Sequence, residues 1–599
     1  MMVSIARLLV FALALCALLL PALPVTAFDP GPPPAMQQRI TPTPTPTPTP
    51  SPTPTPAPTW TPLAVGRSGE PDIGDPTTPG LGNTGYEVAH YDLYFDINID
   101  ALQMEAVATL TVTAALEGLS RFSLDYAGPP VQMVLVDGAA VAWQQQGLKL
   151  WVALPAPLPM GATFDVAVHY TGWPGVFRSP YMPFLNLGVY ASAHNRYLFA
   201  FNEPDGARAW FPCNDHPRDK ATYMFTLTVA DDLTAIANGE PEPPVDNGDG
   251  TRTFVWRMDY PMASYLAVIA VGDYRVLEDT APNGIPLRHY YFASQPESMV
   301  RETYAVTGEV IAFLEQVFGP YPFDGYGHVL TPQAGVAMET QAMTIMPAGA
   351  LGPGATRLIV HELAHQWFGN HVSPATWADI WLNEGFATYA EVLWTEYVGG
   401  QQAMANALAV NEMQVLARGA FAPLAEPEVS DLFGINSYRK GGWVVHMLRR
   451  EVGDAVFLDI LRAYLQRFGG GVASTRDLQH VAEEVSGRDL SAFFEQWVYR
   501  PGNPSVALYW TPDGEVLACQ ADDPFMFALP LGFVGDLEDN PEQVVPVTLV
   551  IGGAEARAAF AVDFEAVELW VDPVQDVLAA VEAEQVEALP PVCPAPSSP

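Results

Sequence analysis

The sequence predicts a multidomain chain with an all-β N-terminal domain, a mostly helical middle domain and a small C-terminal β-sandwich. Three observations carry this. Strict two-residue alternation of apolar and polar residues begins near Tyr86 and recurs for about 190 residues. Helical periodicity then replaces it as far as Pro504. Alternation returns after "WVYRPGNPSVALYW" and ends near "VELWVDP". A chain of 599 residues exceeds one domain, and 49% apolar residues can fill several cores.

Residues 1–27 read as a signal peptide. Arg7 is a short positive region, Leu8 to Leu20 is an apolar run, Pro21 and Pro24 end it, and "VTA" precedes Phe28. The run is short for a membrane span, so a membrane enters only through an uncleaved N-terminal anchor. Residues 28–84 read as a Thr/Pro-rich disordered stalk. Its repeat, "TPTPTPTPTPSPTPTPAPTWTP" from Thr41 to Pro62, favours polyproline II and would reach about 70 Å.

The N-terminal β-domain is assigned to residues 85–280. In "YDLYFDINID", Leu93, Phe95, Ile97 and Ile99 share one face, and Asp92, Asp96, Asn98 and Asp100 the other. Ala108, Leu110 and Val112 repeat the pattern in the next run. Residues 281–504 carry helical stretches over 302–318, 356–368 and 437–452. The β-sandwich is assigned to 505–582, where Val545, Val547, Leu549 and Ile551 face one way, and 583–599 to a disordered tail.

The formal net charge of −40 sets nucleic acid and anionic lipid aside as partners. The chain has three lysines, Lys149, Lys220 and Lys440. Without Cys16 of the leader, Cys213, Cys519 and Cys593 remain, an odd and sparse set. A Cys519–Cys593 bridge is permitted outside the cytosol but not required.

The chemistry concentrates in "HELAHQWFGNH", His361 to His371. On a helix, His361 and His365 project about 40° apart, one turn separated, so both imidazoles reach one ion. Zinc suits two imidazoles and an oxygen ligand with one position open. Glu362, beside His361, can act as a base toward zinc-bound water without binding the metal. His371 looks like a third histidine ligand. The pattern that uses one needs glycine at position 368, which holds Phe; the glycine comes one residue late, at Gly369. A continued helix would carry His371 roughly 120° around and about 9 Å along from His365. It reads as a loop histidine. Downstream, "WADIWLNEGFATYAEVLWTEY" is a second amphipathic helix with Asn383 as its expected N-cap. Glu384 lies early on it behind apolar "IWL", and completes a His₂Glu site of the thermolysin kind.

These motifs together resemble the aminopeptidase N family of gluzincin zinc metallopeptidases, which also contains the leukotriene hydrolases. The resemblance runs over roughly residues 85–580. Besides "HELAHQWFGN" and "WLNEGFATY", it rests on "NEPDGARAWFPCNDHPRDKATY", "YPMASYLAVIAVGDY", "AGVAMETQAMT", "YRKGG" and "FFEQWVYRPGNPSV". Lys220 and Lys440 both fall in these motifs. The resemblance implies a thermolysin-like catalytic domain with one zinc ion on His361, His365 and Glu384. It implies Glu362 as general base and then proton donor, and Tyr438 as hydrogen-bond donor to the oxyanion. Glu339 would bind the substrate's free α-amine, with Glu203 as a second carboxylate of that clamp. Ala337 and Met338 would line the substrate from the exopeptidase strand. Peptides with a free N-terminus are the implied substrates; the sequence leaves the oligomeric state open.

The chain departs from the family's pattern at that strand. It reads Val336-Ala337-Met338-Glu339-Thr340 where Gly-Ala-Met-Glu-Asn is usual, and Phe201 stands where many members have Gln. The sequence therefore supports an extracytoplasmic zinc aminopeptidase. The alternatives are an endopeptidase or other hydrolase on the same scaffold, an epoxide hydrolase among them, and a non-catalytic peptide-binding protein that retains the fold.

Overall fold

The structure is a computed structural model that describes residues 66–332, 336–419, 422–521, 523–536 and 543–594. The alternating runs form the N-terminal strands as expected. Tyr86–Asn98 pairs antiparallel with Gln103–Ala114, and Gln103–Ala114 with Thr163–Thr171. Lys220–Ala230 runs parallel to Tyr86–Asn98 on the other side. Leu93, Phe95, Ile97 and Ile99 are buried while Asp96, Asn98 and Asp100 face solvent, so a one-residue register slip would reverse the whole face. A separate five-stranded sheet contains Tyr197–Phe201, whose end delivers Glu203, paired with Ile269–Gly272.

The helical region is built on a four-stranded sheet. Tyr274–Thr280 pairs antiparallel with Pro286–Phe292, which runs parallel to Tyr326–Thr331, and that strand parallel to Met343–Pro347. Tyr274–Thr280, read from sequence with the N-terminal domain, thus hydrogen-bonds into the sheet that follows. The periodic stretch 302–318 forms two helices, Glu297–Tyr304 and Thr307–Phe318. At the C-terminal end, Ser505–Trp510, Glu515–Gln520, Glu555–Ala559 and Ala580–Gln585 form one sheet. Phe527–Val534, Val544–Ile551 and Glu568–Val571 form another. Leu549 and Ile551 are buried and Val545 and Val547 half-buried, as their alternation predicts.

Two segments read as disordered are held in the fold. Residues 66–84, expected in the stalk, bury Asp75, Thr78, Leu81 and Asn83. The Asp75 carboxylate accepts from the Trp377 backbone N–H at 2.8 Å and lies 3.1 Å from His216 Nε2. Asn83 donates from its side-chain amide to Asp125 and from its backbone N–H to Asn214 Oδ1. Composition predicted a polar linker, but these side chains find buried partners far along the chain. In the tail, Ala580–Gln585 is a strand and Cys593 is bonded to Cys519. The bridge closes a 74-residue separation, worth up to about 4 kcal/mol in the chain-entropy model. The signal peptide and residues 28–65 of the stalk lie outside the described residues. Among the described residues no helix is long and apolar enough to cross a membrane.

Candidate metal centre and carboxylate cluster

The first site helix is Thr356–Ala364, with His365 at its C-cap. It buries Ile359, Val360 and Leu363, which turns His361 and Glu362 inward on a packed face. The helix stops four residues short of the stretch its periodicity suggested. Gly369 has φ +118°, and the amides of Asn370, His371 and Val372 bond back to the carbonyls of His365, Gln366 and Trp367. Glycine supplies that backbone conformation without a Cβ penalty. The turn carries His371 away from the two helical histidines. Its carbonyl accepts from Gly470 N, and a Cβ on Gly469 would lie 2.2 Å from its Nε2.

The second site helix is Trp381–Arg418, kinked at Gly400. It starts three residues earlier than expected. Ile380 occupies the N-cap, and Asn383 lies inside the first turn, with its amide 3.4 Å from the Tyr265 hydroxyl. Burial of Ile380, Trp381 and Leu382 sets this start and brings Glu384 to the first helix.

Glu384 Oε2 lies 3.3 Å from His361 Nε2 and 3.5 Å from His365 Nε2. That oxygen is buried and makes no hydrogen bond. The outer ring nitrogens are committed elsewhere. His361 Nδ1 is 2.8 Å from Glu391 Oε1, and His365 Nδ1 is 3.1 Å from the Phe368 carbonyl. A carbonyl only accepts, so His365 Nδ1 must donate and its Nε2 keeps a lone pair; an ionised Glu391 does the same for His361. Three lone-pair donors thus converge with no proton assigned between them. Tetrahedral zinc with ligands at about 2.0–2.1 Å needs donor separations of about 3.3 Å. The residues fit zinc.

Glu391 was not among the expected site residues. It accepts from Arg357 and lies 3.6 Å from Arg439, so its carboxylate is held while it orients His361. Its position seven residues after Glu384 puts it on the same helix face, about 20° around, a signal the sequence did contain.

Glu362 is buried beside this centre. Burial pushes its carboxyl up to about 8, with His361 and His365 pulling the other way. A divalent ion nearby draws it down again. Tyr438 lies in the π-helical turn Asn436–Lys440, its ring stacked on that of His361 at 5.9 Å and 9°. Burial and the surrounding Glu384, Glu203 and Glu339 raise its hydroxyl well above the usual range, so it stays a proton donor.

A second cluster adjoins the first. Glu203, Glu339 and Glu384 each offer a carboxylate oxygen, all within 4.8 Å of one another. Glu203 Oε1 and Glu339 Oε1 are buried without a hydrogen-bond partner. Burial and the neighbouring carboxylates raise Glu203 well above its ordinary range, and burial raises Glu339. An unmatched buried acidic cluster is costly alone and is relieved by a cation.

The expected exopeptidase strand reduces, among the described residues, to one antiparallel bridge. Met338 and Ile345 exchange backbone bonds of 3.0 and 2.9 Å. The chain turns back at Thr340–Met343, with Ala342 at φ +61° and the Thr340 hydroxyl bonded to the Met343 carbonyl. Thr340, where the family pattern has Asn, closes that turn. Met338 is buried and Ala337 half-buried; Phe201 is buried at its strand end.

Two family descriptions match the chain, the peptidase M1 N-terminal domain over residues 87–266 and the peptidase family M1 domain over 302–497. A solved M1 zinc metallopeptidase from Deinococcus radiodurans, a variant bound to a Tyr-Ser-Ala substrate, is 34% identical with a TM-score of 0.65. The match covers 72% of this chain and 97% of that one. The chain belongs to peptidase family M1. Its catalytic metal is the one zinc ion of that family, consistent with the donor set above. Among curated M1 relatives, aminopeptidase M1 of Arabidopsis thaliana is 29% identical over 384 residues, 60% of this chain and 42% of the relative. Aminopeptidase N of Bos taurus is 29% identical over 404 residues, 60% of this chain and 41% of the relative. The chain spans about four-tenths of the length of these relatives.

Proposed function

We propose that this M1 chain is an aminopeptidase that removes the first residue of peptides with a free N-terminus. The observation that carries the reading is the pair of unpartnered buried oxygens on Glu203 and Glu339, next to the three-donor metal centre. A carboxylate cluster of this kind favours an ammonium over an uncharged amide.

His361, His365 and Glu384 hold the metal, and zinc there supplies a Lewis acid that also lowers the pKa of water. Glu203 and Glu339 accept hydrogen bonds from the substrate's ammonium and set the position of the first peptide bond. Glu362 takes the proton from the attacking water and passes it to the leaving amine. The Tyr438 hydroxyl donates to the oxygen on which negative charge develops. Glu391 keeps the His361 ring in register without touching substrate.

Amino-acid anilides are expected to be cleaved about a hundredfold faster than their N-acetylated forms, since acetylation removes two charge-assisted contacts. Equal rates would overturn the reading. Glu339→Ala should raise KM for free-amine substrates by about tenfold.

We also propose that the enzyme works outside the cytosol. The Cys519–Cys593 bond supports this, because such bonds persist in oxidising compartments, and residues 1–27 read as a leader. Freshly isolated protein should show both thiols blocked to alkylation unless reduced; two free thiols would count against it.

A further inference from the structure

The Lys220 ammonium lies at the junction of three chain segments. It begins the N-terminal strand Lys220–Ala230 and is half-buried. Nζ donates to the carbonyls of Asn370 at 2.7 Å, His371 at 3.1 Å and Gly471 at 3.3 Å. The first two belong to the turn that ends the first site helix. The third belongs to the glycine run after the helix Asp454–Phe468. An ammonium has three donors, and all three are used on carbonyls.

The turn that Lys220 grips leads to the carboxylate cluster. Asn370, fully buried, donates from Nδ2 to the Glu339 carbonyl at 2.7 Å. Gln366 donates to the same carbonyl at 3.3 Å. Glu339 Oε1 has no hydrogen-bond partner of its own. The place of the carboxylate is therefore set through its backbone, and that backbone is held by amides of the turn. Asn370's own peptide is in turn fixed by its N–H to the His365 carbonyl and its C=O to Lys220.

We infer that Lys220 is a positioning residue for recognition of the substrate amine, acting through Asn370 on Glu339 from the N-terminal β-region. The inference rests on the amine reading above. It accounts for a lysine held on three carbonyls, with no ion pair among the described residues, in a chain with three lysines, at the desolvation cost that draws its ammonium down to about 7.

The test measures the ratio of kcat/KM for an amino-acid anilide to that for its N-acetylated form, in the full chain loaded with zinc. Lys220→Met is expected to lower this ratio about tenfold, mainly through KM of the free-amine substrate. Metal analysis should still find one zinc per chain. Asn370→Ser leaves the carbonyl that Lys220 uses and removes only the amide to Glu339. It should lower the ratio similarly, and keeps the inference testable if Lys220→Met does not fold. The double variant should be no worse than either single variant, because both act on one path. A wild-type ratio near one would overturn the amine reading and this inference with it. A wild-type preference kept in full by Lys220→Met, or by Asn370→Ser, would overturn this inference alone. So would multiplicative losses in the double variant.

Discussion

Glu362→Gln is expected to lower kcat about 10,000-fold while KM changes little and one zinc per chain is retained. Glutamine keeps the size of the side chain and its place on the helix, so His361 and His365 still face Glu384 Oε2. What disappears is an oxygen able to carry a proton from the attacking water to the leaving amine. The unchanged KM follows because Glu362 lies outside the Glu203–Glu339–Glu384 cluster proposed to hold the substrate. Steady-state rates on an amino-acid anilide, with zinc quantified on the same preparation, check the result. Activity within about tenfold of wild type would remove Glu362 from its role.

Glu384→Ala should have the other large effect, on zinc itself. Loss of an outer-shell partner already costs about 10–100-fold in metal affinity, and Glu384 is one of the three proposed direct donors. Affinity is expected to fall by more than a hundredfold, to leave two imidazoles facing a cavity, and to abolish turnover at ordinary zinc concentrations. The loss should extend to stability, because zinc bound to the folded state alone raises its melting temperature by mass action. The wild-type chain should show a zinc-dependent rise in Tm that Glu384→Ala lacks. Full zinc occupancy in the variant would show that the third donor lies elsewhere. Because Glu384 also belongs to the carboxylate cluster proposed to hold the substrate amine, the substitution should weaken free-amine binding even when zinc is forced in.

Much of the centre was legible because its spacing is local. The interval from His361 to His365 is one helical turn, and the period of 3.6 converts it directly into a shared face. The late glycine at Gly369 told against His371, and the observed turn at φ +118° carries that residue off. Glu391, on the Glu384 face of the same helix, follows by the same rule, although it was not among the expected site residues. Asn383 was misread as a cap because capping preference is weak beside the burial of Ile380, Trp381 and Leu382, which fixed the helix start.

The sequence by itself determined the alternation that makes the β-regions and the two site helices, properties of residues a few positions apart, and it brought His361, His365 and Glu384 forward as candidate metal donors. Only the tertiary structure decided that Glu203 meets Glu339, that Lys220 grips the turn behind His365, and that residues 66–84 bury Asp75 against His216 and Trp377. Those contacts join residues separated by over a hundred positions, and no local period relates them. They follow from how the sheets and helices stack once their apolar faces are buried, which brings a lone charge or an unmatched carboxylate to the partner its own segment lacks.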